Sequence, residues 1–132
     1  MVEKLDGKVT YLENHCDIIM NKSINFKGGT CILIRKHIGC EIERTEMSAD
    51  SRIISVICKM QDIKFHILNV YAHASDNSDR EQLFEHELPY YLRHNTSNTF
   101  LGGDFNSVLS TNDVSTKDNS KISKALTKII RE

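Results

Sequence analysis

Two apolar runs lie almost back to back in the middle of the chain. Arg52 to Met60 is rich in isoleucine and valine, with Ile54, Val56, Cys58 and Met60 at alternate positions. Lys64 to Tyr71 places Phe65, Ile67, Asn69 and Tyr71 on one face and His66, Leu68 and Val70 on the other. Only Gln61, Asp62 and Ile63 separate them. So short a link between two strands of period two leaves an antiparallel hairpin as the pairing that fits. Whatever else the chain does, it must build a sheet around this pair. Tyr71 ends a face shared with Phe65 and Ile67, and a hydroxyl in that position needs a partner, a functional site being one.

Upstream, Thr30 to Arg35 is a continuous β-branched run, expected to be a strand buried on both faces. Cys16 to Met20 is a shorter candidate strand, and Cys40 to Glu46 alternates weakly, as an edge strand would. Val9 to Glu13 reads equally as helix or strand. Downstream, Ser78-Asp79-Arg80-Glu81 has the form of a capping box and predicts a helix start, with Leu83, Phe84, Leu88, Tyr91 and Leu92 as its apolar stripe. Pro89, the single proline, falls inside that stripe and predicts a kink or a break near Leu88. Ser120 to Glu132 has helical spacing, with Ile122, Leu126, Ile129 and Ile130 inward. Its lysines read first as a solvated face and second as contacts for a nucleic-acid backbone.

The stretch from Thr99 to Asn106 carries the chemistry. An apolar run rises to Leu101, Gly102 and Gly103 break it, and Asp104 and Asn106 follow at i and i+2. A strand that ends in this way delivers polar groups to an open loop from a rigid base. Asp104 offers an anionic oxygen for a hard cation or a proton, and Asn106 offers a donor and an acceptor. Phe105 should point the opposite way, into a core. Taken alone, Gly-Asp-Phe-Asn is also ordinary turn chemistry.

Composition narrows the classes. The 132 residues suit one domain or part of one. A formal net charge of −1 gives no global field for nucleic acid, so any such binding must be local. No apolar run is long enough for a transmembrane helix, and the first residues lack a signal-type apolar core. Cys16, Cys31, Cys40 and Cys58 form no C-x-x-C pair or zinc spacing, so reduced thiols in an intracellular setting are expected.

The order of these features resembles the endonuclease/exonuclease/phosphatase superfamily, whose fold is DNase I-like. The residues that carry the resemblance are Gly29 to Arg35, Asn69-Val70-Tyr71-Ala72, Leu88-Pro89-Tyr90 and Leu101-Gly102-Gly103-Asp104-Phe105-Asn106-Ser107-Val108-Leu109. The branch most similar is the endonuclease domain of non-LTR (LINE-type) retrotransposons, over residues 26 to 115. The resemblance implies an α+β fold, part of a four-layer α/β/β/α sandwich, with residues 1 to 132 forming a single partial domain. It implies a Mg2+-dependent phosphodiesterase acting on DNA. Asp104 would orient or deprotonate the attacking water, or hold the metal. Asn106 would steady that aspartate and the phosphate oxygens, and Tyr71 would donate to the scissile phosphate. His73 and Asp113 would contact substrate.

The departures are part of the expectation. After Tyr71-Ala72 the family usually continues Pro-Asn, and here stand His73 and Ala74; after Asp113 an arginine is usual, and here stands Val114. The family's early metal-binding glutamate and late aspartate-histidine pair have no match. The chain is therefore expected to be the central portion of a longer domain, weak or inactive alone, with exposed sheet edges able to pair with other chains. A phosphatase of the same fold, or a non-catalytic interaction module, are the alternatives. The complete protein would act in the nucleus.

Overall fold

A computed structural model describes residues 6–23, 28–94, 98–110 and 122–131, with side chains from Thr10 onward in the first helix. The elements in order are α1 (Asp6–His15), β1 (Cys16–Asn21), β2 (Thr30–Arg35), β3 (Cys40–Met47), β4 (Ile53–Met60), β5 (Ile63–Tyr71), α2 (Asn77–Gln82), α3 (Leu88–Leu92), β6 (Thr99–Asp104) and α4 (Lys124–Arg131). Strands β1 and β2 form an antiparallel pair, and β3-β4-β5-β6 form a second sheet in that order. Strands β3, β4 and β5 are antiparallel neighbours, while β6 lies parallel to β5 after the helical crossover.

Strand β4 is apolar on both faces because it is covered on both. Ile53, with Leu68 and Val70 of β5, packs against Leu83, Phe84, Leu88, Ala125 and Leu126 of the helical layer. Ile54, Val56 and Cys58 pack against Ile19, Ile32 and Ile34 of the two-stranded sheet. Asn69 sits between the sheets and donates from Nδ2 to the Cys31 carbonyl of β2 at 2.9 Å. Helix, sheet and sheet are thus stacked around two cores, an α+β arrangement of packed layers.

Several expectations change on contact with the structure. The hairpin forms, but its turn is Gln61–Asp62, with Gln61 at φ +56°, and Ile63 belongs to β5. The helix or strand ambiguity at Val9 to Glu13 resolves as helix α1. Strand β2 is buried on one face only: Thr30, Ile32 and Ile34 point to the inter-sheet core, whereas Leu33 is half exposed. Its run of β-branched residues masked an ordinary one-sided strand. The cap of α2 is Asp76, whose Oδ1 accepts from Asp79 N–H at 3.0 Å, and Ser78 is already inside the helix. An aspartate outside the first turn meets the helix N–H groups more directly than the serine two residues later. Pro89 does not break the helix. A π-turn over Leu83–Glu87 precedes α3 and opens the ladder where the proline N–H is missing. In α4, Ala125 and Leu126 are the buried residues and Ile130 is exposed, with Ser123 Oγ accepting from Leu126 N–H at 3.0 Å as the cap.

A polar strut ties the end of the helical crossover to β3. Glu46 accepts from His94 Nε2 at 2.6 Å, from Arg93 Nη2 at 2.7 Å and from Arg44 Nη2 at 2.8 Å. Burial alone would raise the Glu46 carboxyl, but these donors outweigh it and pull it down to about 2. Beneath it, His66 is fully buried with Nε2 2.8 Å from Ser55 Oγ. Burial, and secondarily the His94 ring, lower the His66 proton affinity, with Glu46 opposing.

These shifts set an acid profile. His66 is depressed, so its contribution to stability is whole above the ordinary value of 6.5 and fades as pH falls below it. Glu46 is also depressed, so its contribution is whole above 4.5 and is lost as pH falls toward 2. Urea unfolding should lose stability in both windows, and Glu46→Gln should cost about 2 kcal/mol at pH 7 and remove the lower step. An unchanged profile below pH 4.5 in Glu46→Gln would refute the strut.

Candidate active site

The candidate site is built by the register of β5 and β6. Parallel pairing sets Asn69 beside Gly102, Val70 beside Gly103 and Tyr71 beside Asp104. Paired residues share a face, so Tyr71 and Asp104 leave the sheet on the same side at its carboxyl end. The pairing continues beyond the strands: Ala72 N–H donates to the Asp104 carbonyl at 2.8 Å.

Gly103 makes this approach possible. Its φ is +138°, and a Cβ there would stand 1.9 Å from the Val70 carbonyl oxygen and 2.7 Å from the Val70 nitrogen. The space left by the missing side chain is filled by the backbone of β5. Gly102 has open space around it instead, and a Cβ there would meet no atom within 4 Å. Gly103→Ala should therefore destabilise the fold by roughly 2–4 kcal/mol, whereas Gly102→Ala should stay within about 1 kcal/mol of the parent. Paired urea titrations would check this contrast, and equal costs at the two positions would contradict the close approach.

Asp104 and Asn106 are locked to one another. Asn106 takes a left-handed φ of +46°, and its N–H donates to Asp104 Oδ1 at 3.0 Å. Its Nδ2 donates to the Ala72 carbonyl at 3.0 Å. The turn is therefore real, and it serves the candidate site. It fixes the aspartate, and the carboxamide clasps the loop that leaves Tyr71. The asparagine acts through the aspartate and Ala72, so part of its donor capacity is already committed. Phe105 points to the helical core as expected, with its ring 6.3 Å from that of Phe84. Asp104 is exposed and Tyr71 is half buried.

The loop after Tyr71 is pinned from beneath. Arg80 is 2 % exposed and donates from Nη1 to the His73 carbonyl at 2.9 Å and from Nη2 to Asn77 Oδ1. The His73 ring is half buried, with Nδ1 3.8 Å from Asp79 Oδ2. Tyr71 and His73 share a cleft of about 420 Å³ with Gly28, Arg52 and Asp79. The structure thus brings Tyr71, Asp104 and Asn106 together and puts His73 next to them. Asp113 lies outside the described residues.

Arg52 was not among the expected site residues. It precedes the strand beside Tyr71, and its Nη1 donates to the Tyr71 carbonyl at 3.1 Å. Its guanidinium carbon stands 5.4 Å from the centre of the Tyr71 ring. The Ser-x-Asp turn chemistry of Ser48-Ala49-Asp50 was the available signal. Ser48 Oγ accepts from the N–H groups of Arg52 and Ile53 at 2.9 and 2.8 Å and so fixes where β4 starts.

A resident magnesium ion is not accounted for by these residues. Among the described residues no group of three or more His, Cys, Asp or Glu could hold a metal. Asp104 supplies one carboxylate, and one of its oxygens already accepts from Asn106. An octahedral ion held by this one carboxylate would need water, substrate phosphate or further protein oxygens to fill its shell.

The layers of sheet and helix match the DNase I-like fold at partial coverage. No protein-family model and no curated protein sequence matches the chain. Solved structures that resemble it are of TDP2 from Caenorhabditis elegans. A truncated form matches with a TM-score of 0.60 at 19 % identity, over 88 % of this chain and 50 % of that one. Another structure of TDP2 and its selenomethionine form each match with a TM-score of 0.59, again at 19 % identity and over 88 % of this chain, but over 38 % of theirs. The chain therefore spans half or less of the length of these neighbours. Among the described residues no helix is long and apolar enough to cross a membrane.

Proposed function

We propose that this chain carries the central part of a phosphodiesterase site that acts on DNA, of the retrotransposon endonuclease type. The observation that carries the reading is the Tyr71–Asp104 pair, set side by side at the carboxyl end of β5 and β6 and tied by Asn106. A phosphodiester needs an activated water and relief of growing negative charge. Asp104 is the exposed carboxylate that can orient or accept a proton from that water, and Tyr71 is the donor beside it. His73, and Asp113 by resemblance, complete the substrate contacts.

Magnesium is the cofactor the resemblance implies. Its remaining oxygens would come from a substrate phosphate or from protein beyond these described residues, and the site is incomplete without them. Cleavage by this chain alone is accordingly expected to be weak or nil. The single carboxylate also favours a second reading, in which the chain is a non-catalytic module that pairs through its sheet edge. Strand β6 has no second partner strand among the described residues, and Phe100 on it is 58 % exposed.

A supercoiled-plasmid nicking assay with Mg2+, an EDTA control and Asp104→Ala separates these. Residual nicking that falls at least about 100-fold in Asp104→Ala and vanishes with EDTA supports the phosphodiesterase reading. Robust nicking untouched by Asp104→Ala refutes the site. If the folded chain neither nicks nor binds an oligonucleotide, yet self-associates or captures a strand, the second reading is the better one.

A further inference from the structure

We infer that Arg52 is a positioning residue for the proposed site: it sets the orientation of the Tyr71 ring in the cleft shared with His73. This rests on the reading of Tyr71 as the donor to substrate, and it adds a residue that the resemblance did not supply. Arg52 holds Tyr71 at three points. Tyr71 N–H donates to the Arg52 carbonyl at 2.8 Å, Arg52 Nη1 donates to the Tyr71 carbonyl at 3.1 Å, and the guanidinium faces the ring at 5.4 Å. The first contact is backbone and survives substitution. The other two are made by the side chain alone.

The geometry is that of a brace. The Arg52 side chain is only 11 % exposed, and its Nε stands 3.5 Å from Asp50 Oδ2. Held at its stem by this carboxylate and at its tip by a carbonyl, the planar group has little freedom left to turn. A cation over an aromatic face is attracted to it most when both are partly desolvated, as here. Tyr71 is the last residue of β5, and the ladder fixes its backbone but not its ring, so the ring direction needs this additional restraint. The platform for Arg52 is itself anchored across the sheets. Gly29 N–H donates to the Ser51 carbonyl at 2.8 Å, Asn21 Nδ2 donates to the Ser48 carbonyl at 2.8 Å, and a Cβ on Gly28 would stand 2.8 Å from the Asp50 carbonyl oxygen. The two-stranded sheet thereby reaches the Tyr71 ring through Arg52.

The test does not require turnover. The protein is labelled with 3-fluorotyrosine, and the Tyr71 fluorine resonance is assigned by its absence in Tyr71→Phe. In Arg52→Gln that resonance should collapse toward the position of free fluorotyrosine, with those of Tyr11, Tyr90 and Tyr91 unmoved. Arg52→Lys keeps a cation and should keep part of the shift. A Tyr71 resonance unchanged in Arg52→Gln, in a protein that still melts cooperatively, overturns the brace; so does an equal movement of all four resonances, which would report a general loosening. Oligonucleotide affinity read by fluorescence anisotropy then links the brace to the site. Arg52→Gln and Tyr71→Phe should each weaken binding several-fold, and the double variant no further than either single one. Full additivity overturns the inference. If the parent does not bind DNA while the fluorine result holds, the phosphodiesterase reading fails and the brace stands.

Discussion

The constraint on which the rest depends is the contact between Gly103 and the backbone of Val70. A side chain at 103 would occupy the Val70 carbonyl. Because it is absent, β6 can lie parallel against β5 to its last residue, and the polar groups that end the two strands arrive side by side. Everything assigned to the site follows from this register: Ala72 bonds to Asp104, Asn106 reaches back to Ala72, and Asp104 and Tyr71 are paired at the ends of their strands. A shift of one residue would turn Asp104 to the opposite face, toward the helical core that Leu101 and Phe105 pack against.

Two residues around the site are held in backbone conformations that side chains resist. Asn106 has a φ of +46° and Ser51 of +63°. Such angles cost on the order of 1 kcal/mol each and persist only where surrounding contacts over-determine them. Both are so determined. Asn106 is held by two hydrogen bonds to different segments, and the Ser51 carbonyl accepts from Gly29 N–H while the Ser51 N–H donates to the Ser48 carbonyl. The strain brackets the Arg52–Tyr71–Asp104 row from either side, which is where rigidity is needed if a side chain is to meet a phosphate at fixed distance.

The strands were legible because their signal is local. Alternation and β-branching in β4 and β5 state both the hairpin and its faces, and the expected grouping of Phe65, Ile67, Asn69 and Tyr71 matches the side that faces β1 and β2. Asp104 and Asn106 were legible because Gly-Gly-Asp-x-Asn concentrates unusual backbone and polar groups in one place. What escaped depends on residues brought together from afar. Leu33 reads as core from its neighbours, yet it is half exposed. Pro89 announces an interruption, but only the packed helix shows that a π-turn absorbs it. Arg52 looks like a polar residue before a strand, and its role appears only when β4 and β5 are set in register, 19 residues apart along the chain.

Two polar clusters, one partly exposed around Glu46 and one buried at Arg80, divide the labour of the helical layer. Glu46, with Arg44, Arg93 and His94, fixes the end of the crossover that leads toward β6, and both of its carboxylate oxygens accept from these donors. Arg80 fixes the beginning of the same crossover by holding the His73 carbonyl. A crossover secured at both ends adds to the hold that the ladder to β5 has on β6, which has one neighbour strand among the described residues. This is the reason an edge strand can serve here as a base for chemistry. Its position is set by the helices above and the glycine contact beside it, and its outer side need carry no load for Asp104 to stay in place.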